Sequence, residues 1–222
     1  MMPLESPRLI ADIGGLYARF AIELERGQFS HQASLRCADH ASLEQAIRAY
    51  LDSVAPLQVA HAAIAVANPV EGDQVRMTNY HWQFSIEETR QSLGLDTLVV
   101  VNDFTALAMA LPKISPSDAR QVGGGQAVSN SVIGLLGSGT GLGVSGLIPA
   151  GDSWISLGSE GGHTSFSPRD AREIQVLEHA WKQFDHVSFE RLLSGSGLEL
   201  IHQALTSSKS ATTEPLTAPD IT

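Results

Sequence analysis

From Leu9 to Ile13 an apolar run meets Gly14-Gly15, and beyond it Phe20, Ile22 and Leu24 alternate with Arg19, Glu23 and Glu25. A run, a turn and a period of two predict a strand, a tight connection and a half-buried second strand. Gly27 turns the chain into a weaker third strand, Gln28 to Leu35. Ser42 followed by Gln45 is a capping-box cue for a helix whose apolar stripe is Leu43, Ile47, Tyr50 and Val54. Val59 to Ala67 and Leu98 to Val101 are continuous apolar runs, the pattern of strands buried on both faces. Between them lie a strand, Gln74 to Thr78, and a short helix capped by Ser85 with Glu88. The second run ends at Asn102-Asp103, where a helix through Thr105 to Leu111 begins, and Pro112 stops it.

Lys113 to Asn130 is a looser Ser/Gly/Pro-rich stretch that places a domain boundary near Pro112, giving units 1–112 and 113–222. The second unit opens with strands Ser131 to Leu136 and Gly143 to Ile148 around a Gly-rich turn, then a short strand through Trp154 to Leu157. Helical stripes follow at Ile174, Leu177, Trp181 and Phe184 and over Leu198 to Leu205. After the Ser/Thr/Pro-rich loop Thr206 to Pro219, the last residues read as a helix start, so the second unit is expected to be incomplete and to leave apolar faces uncovered.

With 43% hydrophobic and 17% charged residues among 222, the chain has apolar material for one large or two modest cores. A formal charge of -10 with 14 scattered Lys and Arg argues against binding nucleic acid by phosphate neutralisation. The lone Cys37 excludes an internal disulfide and any multi-cysteine zinc site, and it fits a reducing cytoplasm. Met1 to Arg8 has no signal-peptide core, and no run approaches the roughly 20 apolar residues of a membrane span. A cytoplasmic protein without a membrane partner is expected.

Gly137-Ser138-Gly139-Thr140-Gly141-Leu142-Gly143 sits between two apolar strands. Such a hairpin brings bare N–H groups close to an anion, or is simply a tight turn. It is neither a Rossmann G-x-G-x-x-G nor a Walker A loop, since it leads into a strand and no lysine follows a glycine. Asp12 precedes the other glycine turn, Gly14-Gly15, from within an apolar strand. A buried carboxylate there needs a partner, either a hydrated Mg²⁺ or its own turn's N–H groups. Asp103, at the carboxyl end of a strand, suits a general base or a helix N-cap. Glu160-Gly-Gly-His163 offers an acid and an imidazole to a polyol, or is a polar surface turn. Glu190, just after Ser188, suits a helix N-terminus whatever its function. Asn79 ends a strand and is equally open.

In order along the chain, Asp12-Ile-Gly-Gly, Met77-Thr-Asn with Trp82 and Phe84, Val101-Asn-Asp-Phe-Thr-Ala, the Gly137–Gly143 run, Glu160-Gly-Gly-His and Glu190-Arg-Leu-Leu-Ser-Gly-Ser-Gly resemble the motifs of the bacterial glucokinase family. The resemblance implies an α/β fold of the actin-like, ribonuclease-H-like ATPase type. It has a smaller first domain with the first phosphate loop and the catalytic Asp, a partial larger second domain, and a sugar and nucleotide cleft between them. It implies ATP-dependent phosphorylation of glucose at the 6-hydroxyl, the first step of glycolysis, with Asp103 as general base. Asn79, Asn102, Glu160, His163 and Glu190 would hold the other hydroxyls. Asp12, Gly14, Gly15, Gly137, Ser138, Gly139, Thr140 and Gly141 would form the ATP side, with Asp12 near Mg²⁺ through water. Glucose is the implied partner, and a homodimer is the open oligomeric reading. The family's first loop reads Asp-x-Gly-Gly-Thr-Asn-x-Arg, whereas this chain has Leu16-Tyr17 for Thr-Asn and keeps Arg19. That change, with the expected missing C-terminal elements, predicts weak or no turnover. It leaves a second reading, a noncatalytic sugar-binding or regulatory module. A glycosidase using Asp103 with Glu160 is a third, to which the phosphate-type loop gives no help.

Overall fold

The computed structural model describes residues 3–77, 81–206 and 216–221. They divide along the chain into two compact units, residues 1–107 and 108–222, with the division falling inside one helical segment. The first contains strands β1 (Pro3–Ile13), β2 (Tyr17–Glu25) and β3 (Gln28–Arg36), helix α1 (Leu43–Ser53) and strand β4 (His61–Val66). A small hairpin, β5 (Gln74–Arg76) with β6 (Gln83–Ser85), leads to α2 (Ile86–Ser92), β7 (Thr97–Asn102) and α3 (Asp103–Ala110).

Five strands form one sheet in the order β3-β2-β1-β4-β7. The first three run antiparallel, and β1, β4 and β7 run parallel. Period-two alternation decides which side is core: Leu9, Ala11 and Ile13 on β1, Ala62, Ile64 and Val66 on β4 and Leu98 and Val100 on β7 are buried. They pack in one cluster with Leu43, Ala46, Ile47 and Tyr50 of α1, so the predicted stripe of α1 is its core face. Ser42 Oγ accepts the Gln45 N–H, and Gln45 Oε1 reaches back to the Ala41 N–H, one residue before the expected partner.

The apolar runs of β4 and β7 are not buried on both faces as their composition suggested. Ala63 is exposed and Val99 is 47% exposed, because packing within the described residues of this unit covers a single face. The hairpin strand β6 carries Phe84, with Trp82 buried beside it and donating from Nε1 to the His40 carbonyl at 3.1 Å. Asn79 and Thr78, the sequence-predicted end of β5, lie outside the described residues.

The second unit holds a three-stranded antiparallel sheet, β8 (Ile133–Ser138), β9 (Leu142–Ala150) and β10 (Ser153–Ser159), in the order β10-β9-β8. Helices α4 (Ala171–Ala180), α5 (Phe189–Leu192), α6 (Gly195–Thr206) and α7 (Ala218–Ile221) follow. Their core is Val176, Leu177, Ala180, Val187, Leu192, Leu200 and Ala204. The stripe expected at Ile174 and Trp181 is instead exposed: α4 stops at Ala180 and buries Val176 and Ala180 with Leu177. Leu136, Ile155 and Leu157 of the sheet are exposed apolar residues. Among the described residues no helix is long and apolar enough to cross a membrane.

Candidate active site

In the first unit the candidate residues gather at the carboxyl ends of the parallel strands, where open α/β sheets present their ligand-binding loops. Asp12 is in register with Ala65 of β4, and Ala65 with Val101 of β7. Since Ala11 and Ile13 point into the core, Asp12 lies on the opposite face. Its side chain is 52% exposed and pairs at 3.0 Å with Arg19, its direct neighbour across the β1–β2 ladder. The buried carboxylate expected from the strand's apolar character is therefore an open one, already partnered by a guanidinium. Both residues line a concavity of ≈ 540 Å³. The turn Gly14-Gly15 closes with a Gly14 N–H bond to the Tyr17 carbonyl at 2.9 Å. A Cβ at Gly14 would meet only ordinary contact, 3.5 Å from that oxygen, so packing does not require a glycine there. Leu16 is 79% exposed there.

Asn102 and Asp103 join β7 to α3. Asn102 Oδ1 accepts the Phe104 and Thr105 N–H groups at 3.0 and 3.1 Å, so the helix cap is Asn102. Its Nδ2 donates to Asp103 Oδ1 at 2.9 Å and to the carbonyl of buried Asn68 at 3.3 Å. Asp103 Oδ1 also receives the Phe104 N–H at 2.8 Å, while Oδ2 accepts no hydrogen bond among the described residues. Half-burial pushes the Asp103 carboxyl above its usual range. The Phe104 N–H opposes the shift, and the negative charge of Asp12 adds to it.

In the second unit Ser138 and Leu142 pair to close the β8–β9 hairpin, and the Gly139 N–H reaches the Gly141 carbonyl at 2.8 Å. The N–H groups of Thr140 and Gly141 have no partner among the described residues. Three bonds tie this hairpin to the α5–α6 corner. Ser138 Oγ donates to the Leu193 carbonyl at 2.8 Å, the Gly195 N–H to the Gly139 carbonyl at 3.0 Å, and the Leu142 N–H to Glu190 Oε2 at 3.0 Å. The hydroxyl proton of Ser138 is thus directed to protein, and the open donors of the loop are the Thr140 and Gly141 N–H groups with the exposed Thr140 hydroxyl. Gly137 is paired with Gly143 in the ladder.

Glu160 precedes a 3-10 turn, Gly161–His163, that carries the imidazole. His163 Nε2 lies 3.4 Å from Glu160 Oε2, and its Nδ1 lies 3.5 Å from Glu190 Oε1. Two carboxylates and an imidazole, all at least a third exposed apart from the 32% exposed Glu190, form one polar array beside the hairpin. Sequence reasoning missed Asn68, whose carbonyl accepts from Asn102, and it quoted Gly195 only as part of a motif, without its N–H contact to the hairpin. It also offered Asp12 a hydrated Mg²⁺ or its own turn's N–H groups, whereas the partner is Arg19, which lies opposite it once the turn length sets the register.

The residues fit an arriving nucleotide: an open-donor glycine hairpin answers phosphate oxygens. Among the described residues no group of three or more acidic, His or Cys side chains could cage a metal. Mg²⁺ that comes with phosphates needs only one or two carboxylates and retains its waters, and half-exposed Asp12 meets that requirement.

The glucokinase family model matches residues 9–222. The chain is 60% identical over 201 residues to the bifunctional protein glk of Burkholderia orbicola, covering 90% of this chain and 31% of that one. It is 52% identical over 204 residues to a glucokinase of Chromobacterium violaceum, covering 92% of this chain and 59% of that one. In structure it is similar to the glucokinase of an Antarctic psychrotroph, with a TM-score of 0.85 and 34% identity over 98% of this chain and 69% of that one. The chain thus spans about a third of the length of the bifunctional relatives.

Proposed function

This chain belongs to the glucokinase family, and on that premise we propose that it transfers the terminal phosphoryl group of ATP to the 6-hydroxyl of glucose. The observation that carries the reading is the Asp103 carboxylate: one oxygen is pinned by Asn102 and Phe104, the other is open, and its proton affinity is raised. A carboxylate so held takes the hydroxyl proton as oxygen attacks phosphorus, a role worth roughly 10²–10⁴-fold in rate.

Glu160, His163 and Glu190 supply acceptors and a ring N–H to the remaining sugar hydroxyls. An epimer with a misplaced hydroxyl leaves part of this array unpaired, which is how such sites discriminate. The Thr140 and Gly141 N–H groups would receive phosphate oxygens, and Asp12 would hold Mg²⁺ through water. Mg²⁺ supplies charge neutralisation on the transferring phosphate when bound. Asn102 acts through Asp103, since all of its amide's hydrogen-bonding groups are engaged by protein. Asn79 retains its proposed place beside the sugar, and the setting is cytoplasmic.

A coupled assay of glucose phosphorylation with Mg-ATP, comparing the chain with Asp103→Ala, tests this. A loss of at least about 10²-fold in kcat is expected, and retention of most of the activity would overturn Asp103 as the base. The exposed Leu16-Tyr17 pair, where the family carries a hydroxyl and an amide, favours one second reading, a sugar-binding module that titrates with glucose but does not turn over.

A further inference from the structure

A single carboxylate in the second unit touches both halves of its chemistry. Glu190 Oε2 accepts the Leu142 N–H of the glycine hairpin at 3.0 Å, and Oε1 faces His163 Nδ1 at 3.5 Å. The contact depends on a missing side chain: a Cβ on Gly141 would collide with Glu190 Oε2. The same joint is gripped from the other side, where a Cβ on Gly162 would collide with the Leu142 carbonyl oxygen. The Leu142 peptide is therefore held at its N–H by Glu190, and Gly162, next to His163, packs on its carbonyl. Leu142, Glu190 and the Gly162-His163 turn close a triangle. At Gly139, by contrast, an added Cβ meets nothing within 4 Å, so the glycine at 141 answers to Glu190 rather than to the turn.

We propose that Glu190 is a positioning residue that couples the sugar contacts to the phosphate hairpin, so that a bound hexose fixes the conformation of Thr140 to Leu142. Building on the reading of Glu160, His163 and Glu190 as sugar contacts, this adds a route by which sugar reaches the nucleotide side. With its side chain 32% exposed, Glu190 has room to leave the hairpin. A sugar hydroxyl donating to Oε1 removes that freedom and leaves Oε2 aimed at the Leu142 N–H. The Thr140 and Gly141 donors on the same turn are then ordered before phosphate arrives, and by reciprocity phosphate at the hairpin favours sugar.

The test is amide hydrogen exchange on the full chain with and without saturating glucose, with glucose binding followed separately by calorimetry. Exchange at Leu142 should slow by about tenfold on glucose addition, within the usual range of coupling between sites. Gly139→Ala should keep this slowing, whereas Gly141→Ala, which displaces Glu190 from the hairpin, should lose it even at glucose concentrations that calorimetry shows to saturate the variant. If glucose binds the wild-type chain and Leu142 exchange is unchanged, the coupling is wrong and the sugar reading stands. If glucose does not bind, both fall. Slowing in Gly141→Ala equal to wild type would show that the coupling does not run through Glu190.

Discussion

The Asn102 amide nitrogen donates to Asp103 Oδ1 at 2.9 Å while the oxygen of the same amide caps α3. One side chain thus both starts the helix and orients the carboxylate, and two substitutions separate the roles. Asn102→Ala loses the cap and should cost about 1 kcal/mol of stability. Asn102→Gly, a tolerated cap residue, should recover all but a few tenths of a kcal/mol of that stability, but it has no side-chain donor to give Asp103. Both should lower kcat with little change in the KM for glucose, measured beside thermal unfolding. A rise in KM at constant kcat would make Asn102 a sugar contact instead.

The Asp103 carboxyl lies above its ordinary value first because it is half-buried, and then because Asp12 repels its ionised form. Native Asp103 consequently binds its proton more tightly than the unfolded chain does. The stability this contributes is complete below the ordinary Asp pKa and is lost as pH rises through the raised native value. Asp12→Asn removes the repelling charge and releases Arg19, and both changes favour the carboxylate. The acid limb of kcat/KM should then move to lower pH, and a carbon-13 NMR titration of the Asp103 carboxyl should move with it. An unmoved limb would mean that Asp12 exerts no field at Asp103.

The first unit was legible wherever a pattern has a local cause. The Ser42 and Ser85 caps, the α1 stripe and the turn at Gly14-Gly15 all follow from neighbours in sequence. Burial of β4 and β7 was overread, because an apolar run carries no record of whether a second layer covers it; Val99 shows that none does among the described residues. The engagement of the Asn102 amide and the hold of Glu190 on Leu142 were invisible for a different reason. Full engagement of that amide needs the Asn68 carbonyl, 34 residues away, and the hold on Leu142 joins chain segments 48 residues apart.

Gly197 lies in the first turn of α6, where Ser194 Oγ accepts its N–H at 3.2 Å. Replacing a helical glycine by alanine ordinarily stabilises by about 0.5–1 kcal/mol. Here the new methyl would run into the Leu192 carbonyl, a backbone atom with no side-chain freedom to yield. The sign should reverse, with Gly197→Ala destabilised by about 1–3 kcal/mol as overpacked sites are. Thermal unfolding of the purified variant reads this directly, and a raised melting temperature would show that the α5–α6 corner gives way freely.

Leu16 and Tyr17 enter the structure through their backbones: the Leu16 carbonyl accepts from Cys37 at 3.0 Å and the Tyr17 carbonyl from Gly14 at 2.9 Å. Their side chains are 79% and 43% exposed. The double substitution Leu16→Thr, Tyr17→Asn therefore keeps every bond that shapes the turn, and stability should stay within about 0.5 kcal/mol. It adds a hydroxyl and an amide beside the Asp12–Arg19 pair. A hydrogen bond to a charged group contributes about 1.5–3 kcal/mol, so the KM for ATP should fall by about tenfold or more while the KM for glucose stays put. Steady-state kinetics over both substrates measures this. Unchanged ATP kinetics would show that this turn does not touch phosphate, and nucleotide recognition would then rest on the Gly137–Gly143 hairpin.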